Sequence, residues 1–137
     1  MELAILPTMN KAPSEIRPGD VYWIPLEEPE GVGSGIVHPR VVVQINRGDG
    51  TLLVCALTSK LKRAKELGNV LLEAGEANLP KRSVVIVSQR SVVPTTQVGE
   101  YIGSLTEPRV NQIWAGMRFQ QSVMGPRQIG EGTEPET

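Results

Sequence analysis

A mainly β domain, an antiparallel barrel or sandwich carrying one C-terminal helix, follows from three features of this 137-residue sequence. Apolar, β-branched runs of strand length recur along it, as in VVVQI over 41–45 and LLVCAL over 52–57, and such runs suit strands buried on both faces. Turn residues separate them where helical spacers would be needed for parallel pairing. Only near the C-terminus does the apolar period become helical, with Val110, Ile113, Trp114 and Met117 at i, i+3, i+4 and i+7.

Residues 1–15 contain two prolines and no periodicity, and read as a loose N-terminal arm before a domain spanning 16–122. Arg17-Pro18-Gly19-Asp20 is turn chemistry that launches a strand over 21–26. Pro25 has no N–H for a ladder, so this strand ends at an edge or a bulge. The acidic, glycine-rich segment 27–37 predicts a mobile loop lying over His38. Its GVGSG run lacks the Lys-Ser/Thr and the helix of a phosphate-binding loop, which excludes that class.

The central pair of strands, 41–45 and 52–57, flanks NRGDG, where Asp49-Gly50 signals a hairpin. Antiparallel pairing then brings His38, Pro39 and Arg40 beside Thr58, Ser59 and Lys60. Beyond Thr58 the polar, basic stretch 59–69 predicts a loop with one helical turn. Strands follow over 69–73 and 83–88, with weaker candidates at 91–93 and 100–105. Thr106 suits an N-cap, Glu107 the positive end of the helix dipole and Pro108 the first turn. The helix stripe packs on the core; Trp114 and Met117 also offer apolar surface for a second copy of the chain. From 123 to 137, Gly, Pro and Glu dominate, and a disordered tail is expected.

The formal charge of −1 hides an uneven distribution. Arg40, Arg47, Lys60, Lys62, Arg63 and Lys65 stand against Asp49 alone between His38 and Lys65, a local balance of +5. Such a cluster either holds phosphates or is a solvated loop after a strand. Cys55 is the one cysteine, which rules out an internal disulfide and fits a reducing, cytoplasmic setting. One His, one Cys and scattered acids give no metal-ligand spacing, so neither metal nor other cofactor is expected. No run approaches the roughly 18 apolar residues a membrane helix needs, and no signal peptide is expected.

His38 and Arg40 are two residues apart on a strand and share a face, where they would supply a proton-transfer group and a fixed cation for phosphate. A lone histidine before a strand is as readily an exposed structural residue. Thr58 offers a hydroxyl at the neighbouring strand end. Gln44 and Gln89 sit within or after apolar strands and hydrogen-bond either bases or backbone.

Taken together, RPGDVYWIPL, a glycine-rich loop, HPRVVVQ, LLVCALTS, NVLLEAGEANLPKRSVVIVSQ and IGSLTEPRVNQIWAGMRF resemble the MazF/PemK family of toxin–antitoxin endoribonucleases from about Arg17 to Phe119. The resemblance implies a small SH3-like barrel with a C-terminal helix, of the MazF/PemK/CcdB type, forming a homodimer. It implies metal-free cleavage of single-stranded RNA, typically mRNA at short sequences, and neutralisation by an antitoxin whose disordered acidic segment covers the RNA-binding surface. The family's strand-opening Arg-Gly-Asp-Val corresponds to Pro18, Gly19, Asp20 and Val21. Its catalytic arginine precedes the proline of the second strand, where this chain has His38 before Pro39; its catalytic threonine corresponds to Thr58. The implied catalytic set is therefore His38, Arg40 and Thr58, with Ser59, Lys60, Lys62, Arg63, Gln44 and Gln89 binding RNA. The substitution at His38 keeps a second reading open, a non-catalytic module that binds a protein target as CcdB toxins do, or an inert antitoxin-binding relative.

Overall fold

The computed structural model of the chain describes residues 15–25 and 37–124. The arm expected over 1–15 (apart from Glu15), the glycine-rich loop over 27–36 and the tail beyond 124 lie outside the described residues. Strands β1 (Asp20–Pro25), β2 (Val37–Asn46), β3 (Thr51–Thr58), β4 (Val70–Leu72), β5 (Ser83–Pro94) and β6 (Tyr101–Ser104) form one curled antiparallel sheet in the order β4-β5-β3-β2-β1-β6, followed by helix α1 (Glu107–Met124). The mainly β architecture with a single closing helix is as expected. Helix α1 runs past the boundary expected at 122, and the two strands anticipated at 83–88 and 91–93 are one bent strand, β5.

Strand alternation splits the apolar residues between two cores, because the sheet curls enough to cover both of its faces. Val21, Val41, Cys55, Leu57 and Val85 pack with Ile113 and Met117 of α1. Their strand neighbours Tyr22, Ile24, Val42 and Val54 pack on the other side with Ile16, Leu52 and Val93. A fully buried side chain of this size contributes about 1.5–3 kcal/mol. Burial pushes the Cys55 thiol up to about 11, so it stays protonated and behaves as a small apolar group.

Of the three register shifts in the sheet, those in β2 and β5 bear on the helix and the site. In β2, Val42 pairs with Val54 and Gln44 with Leu53, which leaves Val43 out of the ladder. Its carbonyl accepts the Trp114 indole N–H at 3.0 Å, tying α1 to the sheet. Trp114 and Met117 therefore serve this chain's own core; among the described side chains of α1, the large apolar ones that are exposed are Phe119 and Val123, one turn apart. In β5 the ladder to β3 skips from Ile86 opposite Ala56 to Arg90 opposite Cys55, so Val87, Ser88 and Gln89 bulge. The Val87 N–H donates to Asn69 Oδ1 at 3.0 Å.

The edge strands β4 and β6 are bridged by the loop 75–79. Ala77 and Asn78 adopt φ of +51° and +61°, a left-handed conformation that disfavours alanine. The surroundings hold it there: Ala77 is buried, and the Asn78 amide donates to the Ile102 carbonyl of β6 at 2.9 Å. At the other side of the helix, Gly68 and Gly116 meet backbone to backbone, and a Cβ on either would collide with the other's carbonyl oxygen. This contact seats α1 against the end of the basic segment that follows β3.

Candidate functional site: a basic cavity and an adjoining apolar cleft

The β2–β3 hairpin delivers the chemistry-bearing residues as its sequence requires. Gly50 takes a φ of +71°, Asp49 Oδ1 accepts both the backbone N–H and the hydroxyl of Thr51, and Asn46 pairs with Thr51. Counting outward from that turn, Arg40 faces Ala56, and His38 and Thr58 come to the same end of the sheet. There a cavity of about 260 Å³ is lined by His38, Arg40, Thr58, Lys60, Arg63 and Gln89 over a floor of Ala56, Leu57 and Ile86. Six of the expected site residues thus converge on one hollow. Three come from the hairpin strands and Gln89 from the β5 bulge, and residues distant in sequence meet because of that bulge.

Two of these side chains, Thr58 and Arg63, are oriented by hydrogen bonds to their neighbours. The Thr58 hydroxyl accepts the Lys60 backbone N–H at 3.2 Å, which orients the oxygen and keeps its own hydrogen available for donation. Lys60 begins a short 3₁₀ segment, Leu61–Lys65, the helical turn expected in this loop. Arg63 is engaged by Glu66 at 2.5 Å, a bond that raises the arginine and lowers the glutamate relative to their ordinary titration. Asn69 donates to the Arg63 carbonyl at 2.9 Å while accepting from Val87, so one amide joins the basic segment to the bulge carrying Gln89.

A second hollow of about 330 Å³ shares His38, Leu57 and Thr58 with the first. Trp23 and its cross-strand partner Pro39 line it with Leu79, Pro80 and Ile102, and Ser59, Lys81 and Ser83 complete the lining. Sequence reasoning assigned no function to Trp23 or Lys81. The available signal was its place on the strand face of Val21, two residues before the end of β1; there it is 40 % exposed.

Two expected RNA-binding residues lie elsewhere. Gln44 is near the turn end of β2, remote in the strand from His38, and its amide donates to Asn46 Oδ1 at 3.2 Å. Lys62 is exposed on the 3₁₀ segment and lines neither hollow. Asp20, the first residue of β1, is structural: its carboxylate accepts from the Arg17 N–H, the Tyr22 hydroxyl and the Ser104 hydroxyl. Burial, reinforced by Asp20, moves Tyr22 well above the ordinary tyrosine range.

Among the described residues no cluster of three or more His, Cys, Asp or Glu is arranged for a metal ion, and no helix is long and apolar enough to cross a membrane. Residues 17–120 match the family model described as a PemK-like, MazF-like toxin of type II toxin-antitoxin systems. Among solved structures, an endoribonuclease in complex with its cognate antitoxin from a mycobacterial species superposes with a TM-score of 0.61 at 19 % identity, over 77 % of this chain and 93 % of that one. A mycobacterial endoribonuclease gives 0.60 at 17 % identity, over 86 % and 96 %. The Mycobacterium tuberculosis toxin MazF-mt6 gives 0.56 at 17 % identity, over 74 % and 92 %.

Proposed function

The chain belongs to the PemK-like, MazF-like family of type II toxins, and on that premise we propose that it is a metal-independent endoribonuclease cleaving single-stranded RNA by attack of the ribose 2′-hydroxyl. The observation that carries this reading is the gathering of His38, Arg40, Thr58 and Lys60 around one hollow at the β2–β3 strand ends. An imidazole, two cations and an oriented hydroxyl suit a phosphodiester. In the reaction a base takes the 2′-hydroxyl proton, the 2′-oxygen bonds to phosphorus, and the bond to the 5′-oxygen breaks as that oxygen gains a proton. The products are a 2′,3′-cyclic phosphate and a 5′-hydroxyl, with no co-reactant.

His38 is assigned to proton transfer, since imidazole alone among side chains ordinarily titrates near neutral pH. Arg40 and Lys60 offset the charge that develops on the phosphorane, and Thr58 donates to a non-bridging oxygen. Ser59, Lys62, Arg63 and Gln89 extend the contact along the strand. The solved relative bound to its cognate antitoxin supports an antitoxin partner for this chain, one with an acidic segment complementary to the basic stretch 60–65. Exposed Phe119 and Val123 support a homodimer through α1, and light scattering is expected to give about twice the 14.9 kDa chain mass.

The deciding experiment incubates the purified protein with long single-stranded RNA in EDTA. Cleavage is expected, and it is expected to vanish when the ribose at the cut is replaced by 2′-deoxyribose. Absence of cleavage at any stoichiometry would leave the second reading, a non-catalytic toxin-like module of the CcdB kind or an inert antitoxin binder, which the histidine at the family's arginine position favours.

A further inference from the structure

Resting on the ribonuclease reading, we infer that Glu66 is a positioning residue, which holds Arg63 side-on so that the terminal nitrogens of its guanidinium clamp a phosphate of the bound RNA. Two arginines of this chain use their donors in opposite ways. Arg109 gives Nε and Nη2 to Glu76 and Nη1 to Gln112, so every nitrogen of its guanidinium is engaged within the protein. Arg63 gives only Nε, to Glu66 Oε2 at 2.5 Å, and among the described residues neither of its Nη groups has a partner. A carboxylate commonly takes an arginine through two parallel bonds. Here the other oxygen, Glu66 Oε1, accepts instead from the Asn69 amide at 3.3 Å. Arg63 thus keeps the planar fork of donors that matches a phosphate, and it lines the cavity shared by His38, Arg40, Thr58 and Lys60.

The support behind this side chain runs back to the sheet. Arg63 donates its backbone N–H to the Lys60 carbonyl at 3.0 Å, and its own carbonyl accepts from the Glu66 N–H at 3.1 Å and from the Asn69 amide at 2.9 Å. Asn69 in turn accepts from the Val87 N–H of the β5 bulge, so the carboxylate that orients Arg63 is itself oriented by a residue tied to the ladder. An exposed pair at i and i+3 contributes little to stability, and with Glu66 about half exposed this one is no exception. What the pair does supply is order: a long side chain already fixed before binding loses less freedom when a ligand arrives. A carboxylate of an acidic protein partner would fit the same fork, but would not explain its place in the cavity that holds His38 and Thr58.

The test measures binding of a mixed-sequence 2′-O-methyl oligoribonucleotide, which lacks the nucleophile and stays intact, by fluorescence anisotropy over a salt series. Arg63→Ala is expected to weaken binding roughly 10- to 100-fold, the loss of charge-assisted hydrogen bonds, and to lower the salt slope by about 0.7, one phosphate contact on a single strand. Glu66→Ala is expected to weaken binding roughly 2- to 10-fold, the cost of ordering one freed side chain. The direction is decisive, because removing a negative charge from a basic surface would otherwise tighten the hold on RNA. Glu66→Gln retains an acceptor for Arg63 Nε and is expected to bind nearly as the native protein does. In an Arg63→Ala background, Glu66→Ala is expected to weaken binding no further. Binding by Glu66→Ala as tight as native or tighter, an unchanged salt slope in Arg63→Ala, or a loss that persists in the Arg63→Ala background overturns the clamp. Failure of the ribonuclease reading shows separately, as native protein that binds the oligonucleotide and cuts no unmodified RNA.

Discussion

Arg109 of α1 grips Glu76 with two parallel hydrogen bonds, Nε to Oε1 at 2.9 Å and Nη2 to Oε2 at 2.7 Å. The same carboxylate accepts the Glu73 N–H at 2.8 Å, so one side chain fixes the loop 75–79 to both β4's end and the helix. Both partners are about three-quarters covered, at 24 % exposure each. The Arg109 bond holds the Glu76 carboxyl below the usual carboxylate range against the opposing effect of burial. Because the folded value is the lower one, the pair's stabilisation is complete above the unfolded value of about 4.3 and fades as pH falls through the folded value. Glu76→Gln is expected to cost roughly 1–2 kcal/mol at pH 7, more than a simple surface pair because the contact is bidentate and covered. Urea unfolding at pH 7 and pH 3 checks this; a gap between native and variant that is as wide at pH 3 would refute an ionic origin.

For the reaction, His38→Ala is expected to lower the cleavage rate roughly 10²- to 10⁴-fold with folding intact, since the residue is exposed. Thr58→Val is expected to cost roughly 3–4 kcal/mol of barrier, the loss of one donor to a developing oxyanion. Arg40→Ala is expected to weaken both binding and rate. Single-turnover kinetics separate the assignments: full activity of His38→Ala beside loss in Arg40→Ala would transfer the family arginine's role to Arg40, and full activity in both would move the site elsewhere.

Asn69 does not line the cavity, yet it joins the basic segment to the β5 bulge through Arg63 and Val87. Asn69→Ala is expected to raise KM for RNA severalfold and to leave the Val87 N–H without its acceptor, at about 1–3 kcal/mol. Hydrogen exchange reads the effect directly. Protection of the Val87 amide equal to that in the native protein would contradict it.

Reversal of Lys62 and Arg63 to Glu is expected to slow antitoxin association and to flatten its dependence on ionic strength, because exposed charges steer encounter. Stopped-flow association over a salt series measures both. Identical salt slopes for native and reversed proteins would remove the segment 60–65 from the interface.

How much of this was legible in the sequence depends on whether the signal was local. The hairpin was, because Asp49-Gly50 and two flanking apolar runs specify it, and with it came the convergence of His38, Arg40 and Thr58. The distance of Gln44 from His38, six positions along one strand, was legible too, but the face it takes was not: the bulge at Val43 shifts the strand's phase, and an extra residue in a ladder leaves no periodic mark. The same holds for Trp114, whose indole pairs with the carbonyl that this bulge frees. Trp23 was overlooked because alternation states which face a residue takes but not where the core beneath that face stops. Leu79, Pro80 and Lys81 reach the cleft only through a left-handed turn at Ala77 and Asn78, which alanine's own preference argues against.

The contact between Gly68 and Gly116 bears on how a cell escapes such a protein. Where a chain is harmful to its host, clones that inactivate it outgrow the rest, and a growth selection becomes a map of the positions that tolerate no change. Any side chain at either glycine must push helix and basic loop apart, since what it meets is backbone. Survivors of induced expression are therefore expected to carry substitutions at 68 and 116 as often as at residues that face the substrate. The two classes part on purification, since only the first group would be less stable than the native chain.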